Sequence, residues 1–183
     1  MVPDLRPLTT RKPLTIIGLG NELLSDDGAG IRVVRELKKR LAGDDVAFEE
    51  LSVGGLQLLD YIIGSEQCII VDAVATGAHP VGTSYRFIQT PDSEPVTLTS
   101  SHQIDLGQVL ALAKLLGTDI PQKVVVYGIE AGDLTTFQES CTNGVSKAIP
   151  KLVDTICRDL VDNGEACCTR TGEWQIVNDA VPD

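Results

Sequence analysis

Three residues carry side chains that together suit a divalent cation: Asp27, Asp72 and His102. Asp27 lies in a glycine-rich turn, Gly18-Leu19-Gly20-Asn21-Glu22-Leu23-Leu24-Ser25-Asp26-Asp27-Gly28-Ala29-Gly30, between an apolar run and a helical pattern. Asp72 follows the apolar run Ile69-Ile70-Val71. His102 stands in Thr99-Ser100-Ser101-His102-Gln103, where Ser100 and Gln103 have capping-box spacing. A helix N-terminus disfavours a protonated imidazole, which keeps the ring neutral and able to ligate. Two carboxylates and one imidazole form a mixed oxygen and nitrogen set for a borderline divalent ion. Three ligands leave a position open, as in metal sites that act on something. Each residue also has a plainer role. Asp26 or Asp27 suits a helix N-cap, Asp72 a turn that hydrogen-bonds nearby backbone, and His102 a surface position beside a cap. The second histidine, His79 in Gly77-Ala78-His79-Pro80, reads as an exposed turn.

Other chemistries fit less well. A dinucleotide-binding turn needs a third glycine at position 23, which is Leu23, and Asp26 and Asp27 would repel a pyrophosphate at the helix N-terminus. Gly144-Val145-Ser146-Lys147-Ala148 approaches a nucleophile elbow, but it ends in alanine and follows no apolar strand. The cysteines Cys68, Cys141, Cys157, Cys167 and Cys168 are odd in number and lack a Cys-x-x-Cys spacing, so neither a disulfide framework nor a zinc ribbon is indicated.

The elements that must position these groups follow from periodicity. Leu14–Leu19, Val46–Leu51, Cys68–Val71, Thr83–Gln89 and Val124–Tyr127 read as strands, most of them apolar and β-branched. Residues 28–41 place Ile31, Val34, Leu37 and Leu41 on one helical face; residues 55–63 do so with Leu56, Leu59 and Ile63. Residues 103–116 and 143–161 read as two further helices, the first with Leu116 among its inward residues and the second containing Pro150. The alternation predicts a three-layer α/β domain: a mostly parallel, five-stranded twisted sheet flanked by helices. Sites in such folds lie beyond the carboxyl ends of the strands. The expected organisation is a loose tail over 1–13, one domain over 14–163 and a C-terminal tail over 164–183.

Composition narrows the partners. The 183 residues carry 15 Lys and Arg against 26 Asp and Glu, a net charge of −11. That balance argues against nucleic acid and against an anionic membrane surface, both of which need a basic face. No apolar run reaches the 18 residues a membrane helix needs, and Leu14–Leu19 is too short for a signal-peptide core. A monomer in the reducing cytoplasm is the expectation.

The ordered set of motifs resembles the [NiFe]-hydrogenase maturation endopeptidases over about residues 14–160. The resemblance runs through the turn 18–30, Gly55-Leu56-Gln57-Leu58-Leu59, Ile70-Val71-Asp72-Ala73-Val74, Gly82-Thr83-Ser84-Tyr85-Arg86-Phe87, Ser100-Ser101-His102 and Val126-Tyr127-Gly128-Ile129-Glu130. It implies an endopeptidase that removes a C-terminal peptide from the nickel-loaded precursor of a hydrogenase large subunit. It further implies that Asp27, Asp72 and His102 clamp nickel carried by the substrate, with no resident organic cofactor. Where many members have an Asp-Gly-Gly-Thr-like loop linked to substrate choice, this chain has Glu50-Leu51-Ser52-Val53. A non-catalytic factor that binds the metal or the precursor is the alternative, and a nucleotide-binding Rossmann-like protein a more distant one.

Overall fold

The computed structural model describes residues 12–41, 45–52, 54–93, 106–162 and 175–178. Among these residues six strands form one sheet: β1 (Lys12–Leu19), β2 (Val46–Leu51), β3 (Ser65–Val74), β4 (Ser84–Gln89), β5 (Val124–Glu130) and β6 (Gln175–Asn178). Their order is β2-β1-β3-β5-β4-β6. The β2–β1, β1–β3 and β3–β5 pairs are parallel; β4 runs antiparallel to both β5 and β6. The mostly parallel α/β architecture is therefore present, with one strand more than expected.

The extra strand comes from the segment read as a C-terminal tail. Ile176 and Val177 sit in a stretch too short and mixed to signal a strand, but β4 offers an edge whose N–H and C=O groups need partners. Every residue of β4 is buried rather than alternate ones, and β6 covers its edge at Ser84, Tyr85 and Arg86. At the other end, β1 starts at Lys12, inside the expected N-terminal tail.

Among the described residues four helices cover the sheet: α1 (Ala29–Arg40), α2 (Leu59–Ile62), α3 (Leu106–Leu115) and α4 (Asn143–Val161). Alternate strand residues face opposite sides, so each strand feeds two cores. On one side Ile16, Val71, Tyr127 and Ile129 pack against Val33, Leu37, Leu152 and Ile156 of α1 and α4. On the other, Ile17, Leu19, Ile70 and Val126 pack against Leu58, Ile62, Leu106 and Leu110 of α2, α3 and the 3-10 turn Gly55–Leu58. Each fully buried Leu or Ile contributes about 1.5–3 kcal/mol relative to exposure. The apolar face expected over 55–63 is displaced: Leu58 and Ile62 are buried, while Leu56 and Ile63 are exposed. The tighter winding of the 3-10 turn shifts the face that the later residues present. Leu116, expected inward, lies past the end of α3 and is exposed. No helix among the described residues is long and apolar enough to cross a membrane.

One glycine sets how closely α1 approaches the sheet. A Cβ on Gly30 would lie 2.3 Å from both the Leu19 and Val71 carbonyl oxygens. Only a residue without a side chain lets the first turn of α1 rest on the ends of β1 and β3.

Candidate functional site

The turn after β1 is a 3-10 turn, Ser25–Gly28, and carries Asp27. Gly28 occupies the N-cap of α1 and no side chain caps the helix, so neither aspartate plays the capping role their position suggested. Asp27 instead accepts a hydrogen bond at Oδ2 from the Asn21 N–H at 2.7 Å, and its own N–H donates to the Leu24 carbonyl. Gly20 makes this possible: its φ is 148°, and a Cβ there would sit 2.0 Å from the Asp27 carbonyl oxygen. The turn lies against β3.

Asp72 is fully buried and lies within β3, which continues two residues beyond it to Val74. It is therefore a strand residue near the carboxyl end, not the turn aspartate of the plainer reading. Its Oδ1 accepts the Ala73 N–H at 2.8 Å. Asp72 pairs with Gly128 of β5, and Gly128 pairs in turn with Tyr85 of β4. Paired residues point to the same side, so the row Asp72–Gly128–Tyr85 lies on the α3 face with Ile70 and Val126. Glycine at the centre of that row leaves no side chain between Asp72 and Tyr85.

His102 lies outside the described residues, in the segment 94–105 that precedes Leu106 of α3. Among the described residues no three His, Cys, Asp or Glu side chains gather closely enough to hold a metal ion. His79 is exposed, its ring tilted against Tyr85 with centroids 5.8 Å apart. Ser146 sits in the first turns of α4 and donates to the Cys141 carbonyl, which ends the nucleophile-elbow reading. Cys68, Cys141 and Cys157 carry free thiols. Burial pushes the Cys68 and Cys141 thiols up, so both are poor nucleophiles.

Two buried carboxylates were not legible as structural anchors. Asp26 is wholly enclosed; its Oδ1 accepts the Thr142 N–H at 2.7 Å, and its Oδ2 accepts the Gly132 and Asp133 N–H groups and the Thr142 hydroxyl. Glu130, at the end of β5, accepts the hydroxyls of Thr76 and Tyr85 at Oε2, each at 2.6 Å, and the Gly77 N–H at Oε1. Burial and the Glu130 partner push the Tyr85 hydroxyl up to about 12. The Asp-Asp doublet and the acid closing a strand were visible in the sequence; the partners that define their roles come from distant segments.

The comparisons with known proteins agree with this architecture. The hydrogenase maturation protease family (HycI) matches residues 31–159. The hydrogenase expression/formation protein HupD of Bradyrhizobium diazoefficiens is 29% identical over 160 residues, 86% of this chain and 83% of that protein. HoxM of Cupriavidus necator, also a hydrogenase expression/formation protein, is 30% identical over 142 residues, 75% of this chain and 69% of that protein. Among solved structures, the hydrogenase maturating endopeptidase HybD from E. coli superimposes with a TM-score of 0.69 at 25% identity, covering 83% of this chain and 94% of the other. A match over most of the chain, in sequence and in fold, defines a peptidase of the hydrogenase-assembly class. The chain belongs to the hydrogenase maturation protease family. It is a peptide-bond hydrolase, and proteases of this kind act on precursors of hydrogenase large subunits.

Proposed function

We propose that this protease cuts near the C-terminus of a nickel-loaded [NiFe]-hydrogenase large-subunit precursor, with Asp27, Asp72 and His102 clamping the nickel that the substrate brings. The observation that supports the reading is that the turn bearing Asp27 packs on β3, the strand that carries Asp72 near its carboxyl end. The turn bearing Asp27 lies against β3, and Gly30, three residues on, touches the Val71 carbonyl next to Asp72. Asp72 faces the side of the sheet on which α3 packs, and Leu106 of α3 follows His102 by only four residues.

Carboxylate oxygens and a neutral imidazole suit Ni²⁺. Holding the substrate's metal fixes the scissile bond relative to the protein, which is a proximity effect. Nickel polarises the carbonyl or the attacking water as a Lewis acid, and a nearby carboxylate accepts the proton released. The protein itself needs no resident organic cofactor. We place it as a monomer in the cytoplasm, where the free thiols of Cys68, Cys141 and Cys157 are at home.

The test is incubation of nickel-loaded and nickel-free precursor with the protein, followed by mass measurement of the large subunit. Loss of a C-terminal peptide from the loaded form alone is expected. Equal cleavage of both forms would remove nickel recognition from the mechanism, and cleavage of neither would overturn the assigned substrate.

A further inference from the structure

We infer that Asp26 is a positioning residue: it does not face the cation but locks the turn that presents Asp27, by clamping that turn to the β5–α4 loop. The inference rests on the reading of Asp27 as a nickel ligand and deepens it.

Asp26 makes five hydrogen bonds to one loop. Beyond the four its carboxylate accepts, its own N–H donates to the Asp133 carbonyl at 3.0 Å, so Asp26 and Asp133 form a reciprocal pair. Thr142 is the N-cap residue of the 19-residue α4, and it gives both its N–H and its hydroxyl to Asp26. The Asp26 charge thus sits at the positive end of a long helix, where an anion is stabilised. The doublet Asp26-Asp27 therefore divides its labour: the Asp26 carboxylate binds the distant loop, whereas the Asp27 carboxylate accepts from Asn21 in its own turn.

The neighbouring residue bears out the clamp. Ser25 has a φ of 46°, in the left-handed region that is unfavourable for a non-glycine residue and persists only where the surroundings enforce it. The enforcing groups belong to the same loop. The Ser25 N–H donates to the Gln138 carbonyl at 2.7 Å, and the Cys141 thiol donates to the Ser25 carbonyl. Gln138 also donates its N–H to the Leu23 carbonyl, completing a short parallel bridge between the two segments. The loop is itself stiffened by Asp133, whose Oδ1 accepts the Thr135 and Thr136 N–H groups; the Thr136 side chain, followed by those two N–H groups, holds its carboxyl down at about 2. A strained turn, braced on both sides of Asp27's neighbour, fixes where Asp27 points.

Thr142 provides a test that spares the fold, because its side chain makes no capping bond to α4. Ni²⁺ affinity is measured by calorimetry on the full chain for wild type, Thr142→Ala, Thr142→Ser, Asp27→Ala and the double variant Thr142→Ala/Asp27→Ala. Removing a hydrogen bond made directly to a metal ligand typically weakens metal binding about tenfold or more. The Thr142 hydroxyl acts one step further out, through Asp26, so Thr142→Ala is expected to weaken binding about threefold in the wild-type background and to leave it unchanged when Asp27 is already alanine, because its effect travels through that carboxylate. Thr142→Ser, which restores the hydroxyl, is expected to recover wild-type affinity. An Asp27→Ala variant that binds Ni²⁺ as well as wild type would overturn the ligand reading and this inference with it. If Asp27→Ala weakens binding but Thr142→Ala does not, or does so equally in both backgrounds, only the positioning role falls.

Discussion

Two loops at the carboxyl end of the sheet are each pinned by a buried acid, and they are pinned differently. Asp26 holds the β5–α4 loop with three backbone N–H groups and one hydroxyl. Glu130 holds the β3–β4 loop with two hydroxyls and one backbone N–H. A hydroxyl can rotate to become an acceptor, whereas a backbone N–H cannot. The first anchor therefore tolerates no change of polarity, and the second tolerates some. The rigid anchor adjoins Asp27 in a strained turn; the adaptable one supports residues 75–80, which are exposed and carry His79. The contrast teaches which loop is held fixed and which can adapt.

The largest effects should come from the three residues proposed to hold the cation. Under the proposed reading, Asp27→Asn, Asp72→Asn and His102→Ala are each expected to lower precursor cleavage about a hundredfold or more, since each would remove a group assigned to holding the cation or moving a proton. Mass spectrometry of the large subunit checks this. Wild-type cleavage by any one of the three would remove that residue from the site.

Next in size is the direct comparison of the anchors by thermal and denaturant melting. In Asp26→Asn the new amide meets a backbone N–H in either orientation, so the loss should be about 3 kcal/mol. In Glu130→Gln the amide can turn toward Tyr85 and Thr76, whose hydroxyls can rotate to accept, so about 1 kcal/mol is expected. Equal losses would break the distinction between the two loops.

The Glu130 anchor also carries a pH signature. Tyr85 keeps its proton up to about 12 in the folded protein, against 10.0 for an ordinary tyrosine, because burial and the bond to Glu130 favour the neutral hydroxyl. Its contribution is complete below pH 10 and is lost as the pH rises toward 12. Tyr85→Phe should flatten the alkaline fall in stability over that interval, measured by denaturant unfolding at successive pH values. An unchanged slope would detach Tyr85 from the alkaline transition.

The smallest effect should be at His79. The ring is exposed and touches the protein through Tyr85, so His79→Ala should leave cleavage within about twofold and stability within about 0.5 kcal/mol. Loss of activity in that variant would move the site toward residues 76–82 and reverse the ranking of the two loops.

By itself the sequence determined the class of fold, because short apolar β-branched runs and helical periodicity are local properties that a single chain displays. β2 and α4 fall where their patterns place them, and Asp72 stands near the carboxyl end of β3 as the run before it implied. The candidate site was legible as far as residue type and order carried it: Asp27 follows an apolar strand, Asp72 closes the apolar run inside another, and His102 stands four residues before Leu106 of α3. Tertiary structure alone decided what depends on partners far apart in the chain. β6 exists because β4 presents an open edge, not because residues 175–178 insist on being extended. Asp26 is separated from Asp27 in role by Thr142, 116 residues away, and Glu130 acquires its place from Thr76 and Tyr85. A carboxylate's chemistry is set by the donors around it, and those donors are assembled only when the chain folds.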